Sequence, residues 1–126
     1  MTRINAGIPP ARLSDKHLLA EHREIKRIPN QISKGRYRLE GQPEKFCLGT
    51  GHVKFFYDKL GYLHTRYQLL YRECKLRGFK VQDWSGAWNN IPSYLMNDWI
   101  PERWVTQLLE ERIRERGGFP EDNALN

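Results

Sequence analysis

The strongest constraint on the fold is an apolar period of three and four residues in the middle of the chain. Spacings of four, three and four separate Leu63, Tyr67, Leu70 and Cys74. Such spacings place side chains on one face of an α-helix. The segment HVKFFYDKL, which begins at His52, extends this period toward the N-terminus. The sequence therefore predicts a central hydrophobic helix that is interrupted near Gly61 and ends at Gly78, a residue suited to a left-handed C-terminal cap.

Two further helices are predicted on either side of the central one. The first covers Lys16–Ile28, which contains no Gly or Pro, follows the possible N-caps Ser14 and Asp15, and is closed by Pro29. Its apolar face carries Leu18, His22 and Ile25.

The last predicted helix begins at Pro101 and ends at Gly117, with one apolar face formed by Val105, Leu108, Leu109 and Ile113. Residues 79–100 contain many turn formers and are expected to form loops with at most one short helical turn. The chain shows no alternating pattern typical of a β-strand. The predicted fold class is therefore all-α.

The ends of the chain complete this picture of one domain spanning residues 1–126. The first 13 residues contain Gly7 and the Pro9-Pro10 pair, and they are expected to form an extended N-terminal arm. A short, mildly acidic tail is expected from about residue 118. The whole is a compact single domain of about three main helices, a size that one hydrophobic core can stabilise.

The charge balance indicates a polyanionic partner. The chain has 21 Lys and Arg against 15 Asp and Glu, a formal charge of +6. Cys47 and Cys74 have neither the number nor the spacing of a disulfide framework or zinc site, and both are expected to be buried. No apolar run is long enough for a membrane span or a signal peptide. We expect a cytoplasmic protein that makes no membrane contact.

The polar face of the first predicted helix is a candidate functional site. A helical wheel groups on one arc His17, Ala20, Arg23, Glu24 and Arg27. The same pattern also fits an ordinary solvated helix face, so the wheel alone leaves both interpretations open.

The N-terminus offers a candidate nucleophile. Thr2 has a small side chain, so removal of Met1 is expected to expose an α-amino group. The ordinary pKa of an α-amine, about 7.7–8.0, leaves part of it unprotonated at neutral pH. Such an amine can form a Schiff base, and nearby arginines, Arg3, Arg23 and Arg27, can lower its pKa further.

Three segments in the same order resemble a known family. MTRIN at the start, DKHLLAEHREIKRI in the first helix and LGTGHVKFFYDKLGYL in the second are similar to the pyrimidine-dimer DNA glycosylases with AP-lyase activity, the phage endonuclease V type. The resemblance extends from Met1 to about Phe79 and continues more weakly through IPERW to about Arg116.

This resemblance implies a DNA-repair enzyme that acts on ultraviolet-damaged double-stranded DNA containing cyclobutane pyrimidine dimers. The implied catalytic residues are Thr2, whose amine forms a Schiff base at C1′ before β-elimination, and Glu24, whose carboxylate assists both steps. The implied DNA-binding residues are Arg3, His17, Arg23 and Arg27. The resemblance implies no metal and no cofactor, and the sequence does not indicate dimerisation, so a monomer is expected.

Several alternatives remain open at this stage. His17 can position a phosphate or support the helix. The basic loop residues can contact DNA or be merely solvated: Lys34, Arg36, Arg38 and Lys45. The aromatic residues are expected in the core rather than on a base-stacking surface, and His52 and His64 are expected at the surface or in caps.

The end of the chain departs from the family pattern. GGFPEDNALN replaces the basic, aromatic tail of the best-known members. The resemblance therefore supports the lyase activity, which needs only Thr2, Glu24 and bound DNA, more strongly than it supports a preference for pyrimidine dimers. The alternative function is a non-catalytic or abasic-site-only DNA-binding protein of the same fold. The expected cytoplasmic protein would be associated with the nucleoid through its DNA substrate or, if a phage encodes it, would lie in the host cytoplasm.

Overall fold

The computed structural model describes residues 2–120, and this part of the chain is all-α, as predicted. Within it lie α1 (Asp15–Glu24), α2 (Arg27–Ser33), α3 (His52–Phe55), α4 (Leu60–Leu76) and α5 (Arg103–Glu115). The same residues contain short 3-10 turns at Pro10–Arg12, Ser85–Trp88 and Ser93–Leu95. The three longest helices, α1, α4 and α5, correspond to the three predicted main helices.

The predicted first helix, Lys16–Ile28, is divided in two. α1 follows Ser14, whose hydroxyl caps the first turn as predicted. The helix ends at Glu24, and after two turn residues α2 begins at Arg27. Pro29 was expected to close the helix but lies in the first turn of α2, where a backbone N–H would have no helical partner. The prediction of one continuous helix is therefore wrong.

The interruption of the central helix lies earlier than predicted. Residues 56–59 separate α3 from α4, and Gly61 belongs to the first turn of α4. A Cβ at Gly61 would lie 2.8 Å from the carbonyl oxygen of Met96. Glycine is thus needed here for close approach of a neighbouring loop rather than for a break. Gly78, with φ of +84°, ends the helix region as predicted.

The N-terminal arm is built into the core. Its apolar side chains at positions 4, 6 and 8 have no exposed surface. Three helices each bind its backbone: His52 of α3 accepts the N–H of Ile4, Thr106 of α5 donates to the carbonyl of Ala6, and Arg66 of α4 donates to the carbonyl of Ile8. The arm is therefore held at defined points along its length.

The C-terminal helix begins at Arg103 rather than at Pro101, because the intervening residue 102 is extended, with φ of −70° and ψ of 156°. After α5 the chain returns to the start of α1, where the carbonyl of Gly118 accepts the N–H of Ser14 at 2.7 Å. Phe119 is fully buried. The start of the predicted tail is thus packed, while its acidic part and Met1 lie outside the described residues.

Aromatic residues form much of the core, as predicted, but Trp104 of α5 is 41% exposed and does not follow that prediction. Ring contacts with centroid separations of 5.1–6.3 Å link Phe46, Phe55, Phe56, Tyr62 and Trp99. Residues 79–100 contain two 3-10 turns, one more than expected. Cys74 is buried as predicted, but Cys47 is only half-buried. No helix in residues 2–120 has the length and apolarity to cross a bilayer.

Candidate active-site cleft

A cleft of about 170 Å³ opens between the arm, α1 and the end of α5. It is lined by Arg3 and Asn5 of the arm, by His17, Ala20, Glu21 and Glu24 of α1, and by Arg112, Ile113 and Arg116 at the end of α5. The four residues from α1 are separated by three, one and three positions, so they share one helix face. The opposite face, at positions 18, 22 and 25, is buried, as the helical wheel predicts.

The floor of the cleft is a network of hydrogen bonds around Glu21. Its side chain is 1% exposed, and its two oxygens lie 2.8 and 3.0 Å from the guanidinium nitrogens of Arg66. The side-chain amide of Asn5 donates to the same carboxylate at 2.8 Å. Burial lowers the pKa of the Arg66 guanidinium, but the charge of Glu21 outweighs it and holds that pKa above its ordinary value. This carboxylate is committed to structure.

Glu24 lies one helical turn further along the same face and has a different environment. Its side chain is 17% exposed, and one oxygen lies 3.5 Å from the guanidinium of Arg23, which is itself 61% exposed. A long contact with a solvated arginine holds a carboxylate only weakly. Glu24 is therefore the carboxylate in this cleft that is available to a ligand.

Three arginines give the cleft a positive electrostatic potential. Burial lowers the pKa of Arg3, and the nearby charges of Arg116 and Arg112 lower it further. The pKa of His17 is also lowered, first by burial and then by Lys16 and Arg116. Cations that destabilise one another are relieved by an anion, so the cleft is suited to a phosphate group.

The position of His17 is compatible with both of its proposed roles. Its Nδ1 lies 3.0 Å from Oγ of Ser14, the residue that caps α1. Its ring also lines the cleft. The geometry thus supports helix capping and contact with a ligand equally.

The other predicted site residues are not all brought together. Thr2 is half-buried and directly precedes Arg3 of the cleft. Arg23 is exposed and faces an adjoining depression near Trp84. Arg27, which the wheel grouped with Glu24, lies on α2 and faces a separate depression lined by Asn30, Gln31, Lys34 and Arg36. The structure therefore does not group Arg27 with Glu24: α1 ends at Glu24, and Arg27 begins the next helix and lies outside the cleft lining.

The sequence analysis missed four cleft residues and misplaced one histidine. Asn5, Glu21, Arg112 and Arg116 were not singled out. For Glu21, its spacing of three from Glu24 was an available signal. His52, expected at the surface or in a cap, is 4% exposed and accepts a hydrogen bond from the arm. Residues 2–120 contain no group of three His, Cys, Asp or Glu side chains arranged to bind a metal ion.

The N-terminal two thirds of the chain match a known family. The model of the family described as pyrimidine dimer DNA glycosylase matches residues 1–84. This region includes the arm and α1–α4, and hence the part of the cleft that contains Arg3, Glu21 and Glu24. Two further cleft residues lie beyond the matched region: Arg112 of α5 and Arg116, which directly follows that helix.

Proposed function

We propose that this chain, which belongs to the family of pyrimidine dimer DNA glycosylases, excises cyclobutane pyrimidine dimers from double-stranded DNA and cleaves the strand through a Schiff base on Thr2. Membership of the family makes it a DNA repair glycosylase with damaged DNA as its substrate. The observation that supports the finer proposal is that Glu24 and Arg3, the residue adjacent to Thr2, line one positively charged cleft.

The first step uses the α-amine that removal of Met1 exposes on Thr2. Its nitrogen lone pair attacks C1′ of the damaged nucleotide, and the glycosidic bond breaks with its electron pair going to the pyrimidine. The amine then loses a proton, and opening of the C1′–O4′ bond leaves an imine between protein and sugar. Cationic neighbours favour the unprotonated amine, which is the reactive form.

Strand cleavage follows from the imine by β-elimination. A base removes a proton from C2′, the electron pair forms a double bond, and the 3′ phosphate leaves with the electrons of the C3′–O bond. Water then hydrolyses the imine and releases Thr2. This sequence needs a group that accepts and returns protons beside the amine.

Glu24 is the residue to which we assign this role. Its ionised carboxylate can stabilise the positive charge that develops on the sugar as the base departs, and it can then accept the C2′ proton. Glu21 is less suited, because Arg66 and Asn5 already occupy its oxygens.

The arginines supply the binding energy for DNA. Arg3, Arg23 and Arg27 are proposed to contact phosphates, with His17 as a fourth contact, and the cleft adds Arg112 and Arg116 as two further candidates. Bending and unstacking the duplex at the lesion costs on the order of a few kcal/mol. Each neutralised phosphate releases counterions that offset this cost, so binding is expected to weaken steeply with salt.

The test is covalent trapping on DNA that contains an abasic site. Purified protein with a verified Thr2 N-terminus, incubated with abasic duplex and sodium borohydride, is expected to form a stable adduct through the reduced imine. A version with an uncleaved tag before Thr2 is expected to form none. Trapping by the tagged protein would assign the nucleophile to a lysine.

The same assay separates the proposed enzyme from its alternative. An adduct with abasic DNA but no cleavage of dimer-containing DNA would identify an abasic-site lyase. No adduct with either substrate would identify a non-catalytic DNA-binding protein.

A further inference from the structure

We propose that His52 is a positioning residue for this reaction: by binding the main chain of Ile4 it fixes the direction in which the arm delivers Thr2. The inference rests on the proposed function, because it assumes that Thr2 carries the nucleophile. His52 does not line the cleft, so it would act through the arm and not on the DNA.

The hydrogen bonds of His52 define its protonation state. The N–H of Ile4 donates to Nε2 at 3.0 Å, and Nδ1 lies 2.9 Å from the carbonyl oxygen of Cys47. A carbonyl oxygen can only accept, so Nδ1 carries the proton and Nε2 is the bare acceptor. Only the neutral imidazole can make both bonds.

The ring is also fixed by its aromatic neighbours. Phe46 and Phe56 pack edge-to-face against it, with centroid separations of 5.3 and 5.4 Å. The residue is 4% exposed and stands at the first position of α3. An imidazole held in this way is a rigid anchor for the arm.

The position of the anchor matters for the amine. Within residues 2–120, Ile4 is the residue closest to Thr2 whose main chain is bound by a side chain of another element. Two residues of extended chain span about 7 Å, so an anchor at Ile4 confines the amine to that radius. A misplacement of about 1 Å can cost about 100-fold in rate. Loss of this bond should therefore slow the attack on C1′ more than it weakens DNA binding.

The charged groups that face the ring come from the arm and from α1. Burial lowers the pKa of His52, the hydrogen bond to the Cys47 carbonyl raises it, and Arg3 lowers it while Glu21 raises it. If Nε2 were protonated, its N–H would face the N–H of Ile4, and the hydrogen bond between them would be lost. The anchor is therefore present at neutral pH and is lost in acid, below the ordinary pKa of histidine.

Two substitutions of His52 distinguish the effect of its hydrogen bond to Ile4 from the effect of its side-chain volume. In His52→Gln the side-chain oxygen can take the place of Nε2, accept from Ile4 and remain uncharged. His52→Leu fills similar space but offers no acceptor. His64→Leu is the matched control. His64 lies on α4 and packs against Trp88 of the 3-10 turn Ser85–Trp88, and within residues 2–120 it makes no hydrogen bond to the arm.

The measurements are the single-turnover rate of borohydride trapping on abasic duplex and the affinity for a duplex with an unreactive tetrahydrofuran abasic analogue. We expect His52→Leu to trap about 10–100-fold more slowly, with affinity within about threefold of the parent protein. His52→Gln and His64→Leu should trap within about threefold of the parent protein.

The pH profile provides a second, independent readout. Below pH 6.5 the trapping rate of the parent protein should fall more steeply than that of His52→Gln, because protonation of His52 adds to that of the amine. If His52→Leu does not fold, the comparison of pH profiles between the parent protein and His52→Gln tests the positioning role on its own. Parallel profiles, normal trapping by the leucine variant, or equal losses of rate and affinity would overturn the positioning role. Absence of any adduct with the parent protein would instead refute the proposed function.

Discussion

The floor and the open wall of the cleft contain chemically identical side chains that are held very differently. On the floor, Glu21 is enclosed by Arg66 and Asn5. On the wall, one turn further along α1, the ion pair that Glu24 forms among the described residues is a 3.5 Å contact with the exposed Arg23. The difference indicates that the two carboxylates have different roles. The floor carboxylate joins the arm to two helices, and this leaves the wall carboxylate free for chemistry.

The largest expected effect is on stability and concerns the floor. Glu21→Gln leaves the buried guanidinium of Arg66 without a counter-charge, so we expect the free energy of unfolding to fall by about 3–5 kcal/mol. Urea unfolding measures it. Glu24→Gln serves as the control and should change stability by less than about 1 kcal/mol, because it removes only an exposed ion pair. Equal losses of unfolding free energy in the two variants would contradict the assignment of a structural role to Glu21 alone.

The next effect is on catalysis and concerns the wall. Glu24→Gln should lower the rate of dimer excision about 100–1,000-fold, the range for loss of one group that stabilises transition-state charge. Its affinity for the tetrahydrofuran-containing duplex should stay within about threefold of the parent protein. The exposed Glu111 on α5 provides the control, and Glu111→Gln should behave as the parent. Full activity of Glu24→Gln would remove the carboxylate from the mechanism.

A smaller effect concerns the face of α1 that points into the core. Burial lowers the pKa of His22, Lys26 lowers it further and Asp83 raises it. The unfolded chain therefore takes up a proton below about pH 6.5 that the folded chain resists, and the free energy of unfolding should decrease as the pH is lowered from 6.5 to 5.

The test compares the pH dependence of unfolding with that of His22→Phe. The His22 ring stacks on Tyr67 and Tyr71, and its Nε2 has no hydrogen-bond partner among the described residues. Phenylalanine preserves the stacking and does not titrate. Its stability curve should be flatter over this pH range; an identical slope would assign the acid sensitivity to other groups.

The smallest effects separate the cleft from the basic surface of α2. Arg116→Ala and Arg27→Ala should each reduce the salt slope of duplex binding by about 0.9 if each side chain neutralises one phosphate. Arg116 lines the cleft and Arg27 does not. Only the former should also reduce the preference for abasic-analogue DNA over undamaged DNA. An unchanged salt slope for Arg27→Ala would assign that residue no phosphate contact.

Local patterns predicted the helices well because they report local physics. The period at Leu63, Tyr67 and Leu70 identified α4, and Gly78 was identified as a terminator. Ser14 was one of two predicted caps of α1, and the other, Asp15, is the first residue of that helix. The break between α1 and α2 was missed because Pro29 fits either the end of one helix or the first turn of the next. Periodicity cannot decide between these two uses of proline.

The site was predicted only where it lies close to the N-terminus in sequence. Glu24 and Arg3 were singled out, but Arg116 reaches the same cleft by tertiary packing that no local pattern encodes. Glu21 illustrates the same limit, since its partner Arg66 is 45 positions away. His52 was expected at the surface or in a cap because a lone histidine between Gly51 and Val53 carries no signal of the arm that it binds 48 positions earlier.

The bond between Thr106 and the carbonyl of Ala6 joins residues 100 positions apart. The arm is therefore synthesised 100 positions before the threonine that binds it. On a nascent chain that has not yet reached α5, the arm lacks this hydrogen bond and the cleft lacks the wall that Arg112 and Arg116 form. We expect the cleft to take its final form only after α5 has packed against the arm.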